Sequence, residues 1–211
     1  MQENKISVIV IGYSGHSYVL IETLIKLGHN ILGYTEKKEK INNPFNLKYL
    51  GNEKDSAFKF FNSNFHYAIG IGDNIKRSSI AKYLRSKSCS LINVIHPDAS
   101  ISKDISFGTG IFIARNVSIN SFAKIEDDVI INTAATIDHE CNIGSDSHIA
   151  PGAVLLGNVK VGKNSFIGAN SVIKEGLVIG RNVTTGAGSV VIKNIPNNEI
   201  WVGNPAKQLI K

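Results

Sequence analysis

Residues 131–172 read INTAAT IDHECN IGSDSH IAPGAV LLGNVK VGKNSF IGANSV when they are cut into groups of six. Every group begins with Ile, Leu or Val, and its fifth residue is small or apolar. The same register runs without insertion from Ile101 to residue 190, and Thr185 is the only polar residue at a first position. A repeat of fixed period takes priority over local patterns, because it decides the architecture of the whole segment.

The spacing within each group indicates a short strand followed by a corner. The fifth residue of one group and the first residue of the next are two apart, so both point to one face of a strand. A six-residue period drifts around a 3.6-residue turn, which rules out a helix. At the corners we expect tight bends with backbone angles that most residues resist. Glycine or asparagine recurs there, at Gly144, Gly162, Asn164, Gly168, Gly180 and Asn182.

The first part of the chain has a different pattern, in which strands and helices alternate. A buried strand is predicted from Lys5 to Ile11, and an amphipathic helix from Ser17 to Leu27 ends at Gly28. Two more strands (31–35 and 67–71) and a second helix (75–85) follow. This order predicts an α/β domain of the Rossmann type. We therefore expect residues 1–92 to form this domain and residues 93–211 to form an all-β parallel β-helix.

Composition narrows the classes of protein and partner. The content of 43% hydrophobic and 19% charged residues, without a long apolar run, predicts a cytoplasmic globular protein with no membrane insertion. The net charge of +6 favours anionic partners, although a modest excess of lysine on a solvated surface explains it better than a nucleic-acid footprint. Phosphate-bearing small molecules fit this charge equally well, and no nucleic acid is expected as a partner. Cys89 and Cys141 fall in different predicted domains, so we expect two buried thiols and no disulfide.

The repeat resembles that of the hexapeptide-repeat acyltransferases. The resemblance implies a left-handed β-helix with three groups per coil, a homotrimer, and a coenzyme A site between subunits. The tail Gly203-Asn204-Pro205-Ala206-Lys207 is close to the terminal signature of that family. With its first domain included, the whole chain resembles the bacterial sugar acetyltransferases. The residues that carry this likeness are Gly12-Tyr13-Ser14-Gly15-His16, Glu36, Gly72-Asp73-Asn74 and Ile95-His96-Pro97.

This resemblance assigns roles to individual residues. It implies acetyl-CoA as co-substrate, no metal, and catalysis by His139 as general base, supported by Glu140 and Asn132. The residues it implies for the cofactor are His148, Gly168, Ala169, Gly186, Ala187, Gly188 and Lys207. Those it implies for the nucleotide-sugar substrate are Ser14, Gly15, His16, Thr35, Glu36 and Gly72. The sequence adds that His139 takes an outward position in its group and is flanked by Asp138 and Glu140, either of which could be its partner.

The function predicted from these features is N-acetylation of a UDP-linked 4-amino-4,6-dideoxy sugar in the biosynthesis of surface glycans. O-acetylation of a sialic or nonulosonic acid uses the same framework and stays open as an alternative. A non-catalytic protein that binds nucleotide sugars is the second alternative. A β-helical zinc carbonic anhydrase needs three convergent histidines, whereas the repeat contains His139 and His148 alone, half a coil apart.

Overall fold

A computed structural model describes residues 5–61 and 64–210, and it divides the chain into two compact units, Met1–Pro97 and Asp98–Lys211. Residues 1 and 211, at the outer ends of the two predicted domains, lie outside the described residues. The predicted boundary between residues 92 and 93 stays a prediction: it says that residues 1–92 and residues 93–211 each form a domain.

The first unit is a parallel α/β sheet, as predicted. Its strands are arranged in the order β2-β1-β3-β4, and all neighbouring strands are parallel. The elements are β1 (Ser7–Ile11), α1 (Gly15–Lys26), β2 (Asn30–Thr35), β3 (His66–Ile69), α2 (Asn74–Ser86), β4 (Ser90–Leu91) and β5 (Val94–Ile95). Within the described residues, neither α1 nor α2 is long and apolar enough to cross a membrane.

Side-chain caps fix where the two helices begin. The hydroxyl of Ser17 accepts the backbone N–H of Ser14 at 2.7 Å and donates to the carbonyl of Ser14 at 2.6 Å. The carboxylate of Asp73 accepts the N–H of Lys76 at 2.8 Å at the start of α2. Such caps satisfy backbone groups that the first helical turn leaves free. Both helices therefore start directly after the carboxyl ends of β1 and β3.

The second unit is the parallel β-helix that the repeat predicted. Its strands are β6 (Ser100–Ile101), β7 (Ser106–Phe107), β8 (Phe112–Ile113), β9 (Ser118–Ile119), β10 (Lys124–Ile125), β11 (Ile130–Ile131), β12 (Thr136–Ile137), β13 (Asn142–Ile143), β14 (His148–Ile149), β15 (Val154–Leu155), β16 (Lys160–Val161), β17 (Phe166–Ile167), β18 (Val172–Ile173), β19 (Val178–Ile179), β20 (Thr184–Thr185), β21 (Val190–Val191), β22 (Ile200–Val202) and β23 (Lys207–Gln208).

These strands form three faces. The first face contains β6-β9-β12-β15-β18-β21, the second β7-β10-β13-β16-β19, and the third runs from β8 through β11, β14, β17, β20 and β22 to β23. Strand partners such as Ile125 and Ile143 are three groups apart, which makes one coil. We call the turns from the first to the second face the first corner (120–123, 138–141, 156–159 and 174–177). The turns from the third to the first face are the third corner (132–135, 150–153, 168–171 and 186–189).

The column inside the coils is aliphatic, and most of its buried hydroxyls are hydrogen-bonded, although that of Ser189 has no partner within the described residues. First-position residues from Ile113 to Ile179 are buried. Thr185 is also buried, and its hydroxyl accepts the N–H of Gly168 at 2.9 Å. The hydroxyl of Ser165, at a fifth position, donates to the carbonyl of Gly180 at 2.8 Å. A small hydroxyl therefore fits this column wherever a corner carbonyl or amide is within reach.

Both thiols are free and buried, as predicted. Burial raises the pKa of Cys141 to about 11 and also raises the pKa of Cys89. Such thiols stay protonated near neutral pH and pack as small apolar groups.

The corners contain two kinds of residue, and the sequence interpretation was right for only one kind. The fourth residue of every group from Gly110 to Gly188 has a left-handed φ, and Asn164 and Asn182 are among these residues. The left-handed conformation costs an L-residue about 1–2 kcal/mol, which explains the recurrence of Gly, Asn and Asp. Phe122, Ala134 and Glu140 are the exceptions, with φ of 65°, 56° and 60°.

Glycines at the second position of a group have a different role from the one predicted. Gly144, Gly162, Gly168 and Gly180 do not have a left-handed φ, so backbone angles do not require glycine there. Lack of space requires glycine instead, because a Cβ on Gly162 would lie 2.6 Å from the backbone nitrogen of Arg181 in the next coil. Glycine at these positions allows the coils to stack closely.

Two substitutions separate these roles. Gly162→Ala should lower the free energy of unfolding by roughly 1–3 kcal/mol, because the added methyl group meets backbone that cannot move away. Gly176→Asn should change it by less than about 0.5 kcal/mol, since its φ of +72° suits asparagine and no atom lies within 4 Å of an added Cβ. Thermal unfolding at matched protein concentration measures both, and equal losses would contradict the distinction.

Candidate active site

His139 lies at the first corner, directly after β12, and its side chain is 56% exposed. Its Nδ1 is 3.0 Å from Oε2 of Glu140, whereas its Nε2 is 4.0 Å from Oδ2 of Asp138. A carboxylate only accepts hydrogen bonds, so this contact places the imidazole proton on Nδ1. The lone pair is then on Nε2, which is the nitrogen that can accept a proton from a substrate.

Asp138 has other partners. Its carboxylate accepts the side-chain amide of Asn120 and the backbone N–H of His139, both at 2.8 Å. These hydrogen bonds lower the pKa of the Asp138 carboxyl, so it is ionised at neutral pH. Glu140 is therefore the acid in contact with the ring of His139, and Asp138 braces the corner that carries this ring.

Gly157 makes room for the imidazole. A Cβ on Gly157 would lie 2.5 Å from both Cε1 and Nε2 of His139. The two residues line an open groove of about 460 Å³. Sequence reasoning missed Gly157, although the signal was present: it is the only glycine at the third position of any group in the repeat. The full lining of the groove is Asp138, His139, Leu156, Gly157, Asn158, Glu175 and Gly176.

Asn132 and His148 form a second polar pair, on the third corner and the third face. Nδ2 of Asn132 is 3.1 Å from Nε2 of His148, and Oδ1 of Asn132 accepts the N–H of Thr133 at 2.8 Å. The latter bond orients the amide so that its NH₂ group faces the imidazole. His148 is 7% exposed, and its ring packs edge-on against Phe166, with ring centroids 5.0 Å apart.

One chain does not bring these two pairs together. Asn132 and Asp138 occupy equivalent positions of successive groups, so one side of the coil separates them, roughly 15–20 Å at about 3.3 Å per residue. His139 therefore lies at one corner and the Asn132–His148 pair at another. Within the described part of the chain, no three His, Cys, Asp or Glu side chains gather as metal ligands do.

The residues expected to bind coenzyme A continue along the third corner beyond Asn132. Gly168 is buried there, and a Cβ on it would lie 2.5 Å from the carbonyl oxygen of Thr185. Gly188 has a left-handed φ, and its surroundings are open. Coil geometry alone explains these glycines. Ala187 is exposed beside Gly188, and Lys207 is exposed on β23 at the far edge of the third face. Ala169 and Gly186 complete this surface and are partly exposed.

A separate cavity of about 640 Å³ lies in the first unit, beyond the carboxyl ends of β1, β2 and β3. Parallel α/β sheets bind ligands at such an edge, where the chain reverses its winding direction. Four of the expected substrate residues line the cavity: Ser14, Thr35, Glu36 and Gly72. Sequence reasoning missed Asn52, Glu53, Lys54, Lys76 and Ser79, which also line it.

The missed segment runs beside the edge of the sheet. The N–H of Tyr34 donates to the carbonyl of Lys48, and the N–H of Leu50 donates to Tyr34, both at 2.9 Å. These bonds bring residues 52–54 to the cavity. The segment lacks the alternation of a strand, so its place beside β2 gave no periodic signal.

The carboxylate of Glu36, the acidic residue after β2, already has partners within the protein. Oε1 of Glu36 accepts the N–H of Tyr13 at 3.2 Å and lies 3.5 Å from Nζ of Lys40. Glu36 therefore holds the turn between β1 and α1 in addition to lining the cavity. Thr35 is fully buried, and its hydroxyl has no hydrogen-bond partner within the described residues.

The other two expected substrate residues take different positions. Gly15 is exposed at the start of α1, and the half-buried His16 lies against Gly72. Burial and the nearby Arg77 guanidinium lower the pKa of His16 to about 4, so this imidazole is neutral at neutral pH. Arg77 is buried and donates to the carbonyl of Gly72 at 3.0 Å. It supports the turn at the cavity wall, a role that its sequence position on a helix did not reveal.

A parallel β-helix of six-residue repeats is the fold of the hexapeptide-repeat acyltransferase class, and in this chain a parallel α/β domain precedes it in sequence. Residues 7–84 match the PglD N-terminal domain family, and residues 158–193 match the bacterial transferase hexapeptide family.

Solved structures extend this likeness over the whole chain. The acetyltransferase domain of PglB from Neisseria gonorrhoeae, in complex with acetyl coenzyme A, is 31% identical with a TM-score of 0.90, and the match covers 98% of this chain and 100% of that one. A histidine-to-asparagine variant of perosamine N-acetyltransferase from Caulobacter crescentus, with CoA and GDP-perosamine, is 29% identical with a TM-score of 0.89 and 97% of each chain covered.

WeeI from Acinetobacter baumannii shares the fold at 22% identity, with a TM-score of 0.88 and coverage of 97% of this chain and 100% of that one. The chain belongs to the family of bacterial sugar acetyltransferases with hexapeptide repeats, and it is an acetyltransferase.

Gly157→Ala should abolish most activity without unfolding the protein, because the added methyl group occupies the position of the His139 ring. We expect a fall in kcat of roughly 10²-fold or more, the scale of a displaced catalytic group. Steady-state kinetics measures this fall, and thermal unfolding confirms that the fold is intact.

A double-mutant cycle supplies the control. In a His139→Ala background, Gly157→Ala should have almost no further effect on kcat, because the ring that it displaces is gone. A second loss as large as the first would show that Gly157 acts independently of His139.

Proposed function

We propose that this protein transfers the acetyl group of acetyl-CoA to the amine of a nucleotide-linked amino sugar, in the cytoplasm and for surface glycans. A UDP-linked 4-amino-4,6-dideoxy sugar is the first acceptor to test. The observation that carries the proposal is the His139–Glu140 pair, with Nε2 of His139 open to a groove over Gly157, in a chain of this family.

The reaction needs a base and no covalent enzyme intermediate. The sugar amine attacks the carbonyl carbon of the thioester while Nε2 of His139 accepts a proton from the attacking nitrogen. The tetrahedral oxyanion then collapses, the carbon–sulfur bond breaks, and the coenzyme A thiolate leaves and takes up a proton. Glu140 accepts the hydrogen bond from Nδ1 and stabilises the imidazolium that forms.

In the C. crescentus enzyme, ligand binding does not depend on one particular histidine. Two of its structures carry a single histidine replacement, by asparagine in one and by alanine in the other, and both contain CoA and GDP-perosamine. In that protein, binding of both ligands persists without the histidine. We propose the same separation of binding and chemistry for His139.

The cavity of the first unit is proposed as the nucleotide site. Helix α1 begins at Gly15, directly after Ser14 in the cavity lining, and a helix N-terminus is a favourable place for a phosphate. Lys54 and Lys76 line the same cavity and add positive charge for a diphosphate. Thr35 and Glu36 offer a hydroxyl and a carboxylate for ribose or base. A neutral His16 keeps the wall at Gly72 free of a further charge.

The residues expected to bind the cofactor are proposed to hold acetyl-CoA next to His139 of a second copy of the chain. Asn132 and the small residues from Gly168 to Gly188 lie at the third corner, and His148 lies beside it on the third face, whereas His139 is on the first corner. A closed ring of copies can bring the third corner of one to the first corner of the next. We therefore propose a homotrimer whose three sites each combine His139 of one chain with Asn132 and His148 of its neighbour.

The first experiment is an acetylation panel. Purified protein is incubated with acetyl-CoA and UDP-, GDP- or dTDP-4-amino sugars, CMP-sialic acid or free sialic acid, while thiol release and product mass are followed. We expect N-acetylation of one nucleotide-linked amino sugar. His139→Ala should lower kcat by roughly 10²–10⁴-fold with little change in acetyl-CoA affinity, and Glu140→Gln should lower it less.

The outcomes of this panel separate the alternatives. Product formed on a sialic acid hydroxyl would favour O-acetylation, and binding of nucleotide sugars without thiol release would favour a non-catalytic protein. A wild-type rate for the His139→Ala protein would show that the amine reaches the thioester already deprotonated.

Mixed trimers test the shared site. One chain carries His139→Ala and the other carries Asn132→Ala with His148→Ala, so neither homotrimer has an intact site. If each site takes its halves from two chains, random mixing leaves about a quarter of the sites intact, because each half is wild type in half of the cases. Activity should therefore return on mixing, after unfolding and refolding together. A mixture no more active than its parents would contradict a site between copies.

A further inference from the structure

The left-handed corner residues reveal where the repeat departs from its own rule. From Gly110 to Gly188 these positions hold Gly, Asn or Asp, apart from Phe122, Ala134 and Glu140. All three exceptions lie at the corners that carry the proposed catalytic groups. Glu140 contacts His139, and Ala134 follows Asn132 by two residues. Disfavoured backbone conformations that cluster in this way mark functional positions.

Phe122 is the exception that the proposed function has not used. The N–H of Glu140 donates to the carbonyl of Ser121 at 3.0 Å, so Phe122 lies at the first corner one coil before Glu140. In the following coils the same place is taken by Asn158 and Gly176, residues that suit the left-handed conformation. The coil itself therefore does not require an aromatic ring at position 122.

The ring of Phe122 is also exposed to solvent. Phe122 is 68% exposed and is the only aromatic residue among the exposed large hydrophobic residues of the described chain. Within the same described residues its ring makes no aromatic contact. An apolar ring in a disfavoured conformation, displayed beside the candidate base, suits contact with a ligand.

The position of the ring distinguishes between the two substrates. The groups proposed for acetyl-CoA lie on the third corner, in the coil of His139 and the coils that follow it. Phe122 lies on the first corner, in the preceding coil. The donor thus has its own surface, and the first corner, from Phe122 past His139 to the groove over Gly157, is left for the acceptor.

We propose that Phe122 is a specificity-determining residue that packs against the apolar C–H face or deoxy methyl group of the acceptor sugar. This inference rests on the proposed function. A pyranose has one face made largely of C–H groups, and an aromatic ring removes that face from water and fixes its orientation. The amine is then held at the level of the coil that carries His139.

The test compares Phe122→Asn, Phe122→Tyr and the wild-type trimer. Phe122→Asn should raise the KM for the nucleotide sugar roughly tenfold or more and leave the KM for acetyl-CoA unchanged. It should also raise the thermal midpoint by a few degrees, because asparagine accepts the left-handed φ. Phe122→Tyr keeps the ring and should retain the wild-type KM for the sugar.

Ser88→Gly is the matched control. Ser88 is exposed after α2 and has a left-handed φ of 57°, so glycine relieves the same kind of disfavoured conformation away from the candidate site. This variant should gain thermal stability without any change in kinetics.

The outcomes are separable. An active wild type whose Phe122→Asn variant keeps the KM for the sugar would overturn the inference alone. Dissociation of the Phe122→Asn trimer in light scattering would also overturn it, because the ring would then be a contact between copies. A wild type that acetylates no sugar of the panel would overturn the proposed function and this inference together.

Discussion

Stacking of equivalent residues from coil to coil is the constraint on which the repeat unit depends. From Phe122 to Gly188, the amide of each left-handed corner residue bonds to a carbonyl of the preceding coil, as the N–H of Asn158 does to His139 at 2.8 Å. These bonds force positions one coil apart to lie over one another. They place Gly157 over the imidazole of His139 and Phe122 before Glu140. The candidate site is thus a set of neighbours defined by register, on a backbone that has little freedom to adjust.

The three-sided coil also explains why the site is divided. The inward positions are filled by the aliphatic column and its few small hydroxyls, so charged and larger polar side chains can project only from faces and corners. Groups on different corners of one chain are kept apart by the width of a face. Chemistry that needs the His139–Glu140 pair together with the Asn132–His148 pair therefore needs two chains. In the proposed homotrimer, assembly and catalysis depend on the same surfaces, and a corner residue can affect either one.

The sequence predicted those features that repeat. The column from Ile113 to Ile179, the strands and the α/β order of the first unit all follow from periodicity, and the structure confirms them. The features that it did not predict arise from contacts between distant residues. The close approach at Gly162, the clearance at Gly157 and the buried guanidinium of Arg77 depend on which residue lies one coil or one element away. Periodicity identifies the face of a residue and contains no information about the atoms opposite it.

Glu140 shows how the fold and the candidate chemistry compete at one residue. Its position in the repeat favours Asn, Asp or Gly, because the backbone there is left-handed with a φ of 60°. Neither Asn nor Gly offers a carboxylate, and Asp has a shorter side chain than the one that places Oε2 3.0 Å from Nδ1 of His139. A glutamate therefore accepts about 1–2 kcal/mol of conformational cost that the fold does not require. The stacked register makes that cost tolerable, since bonds to both neighbouring coils hold the corner in place whichever side chain it carries.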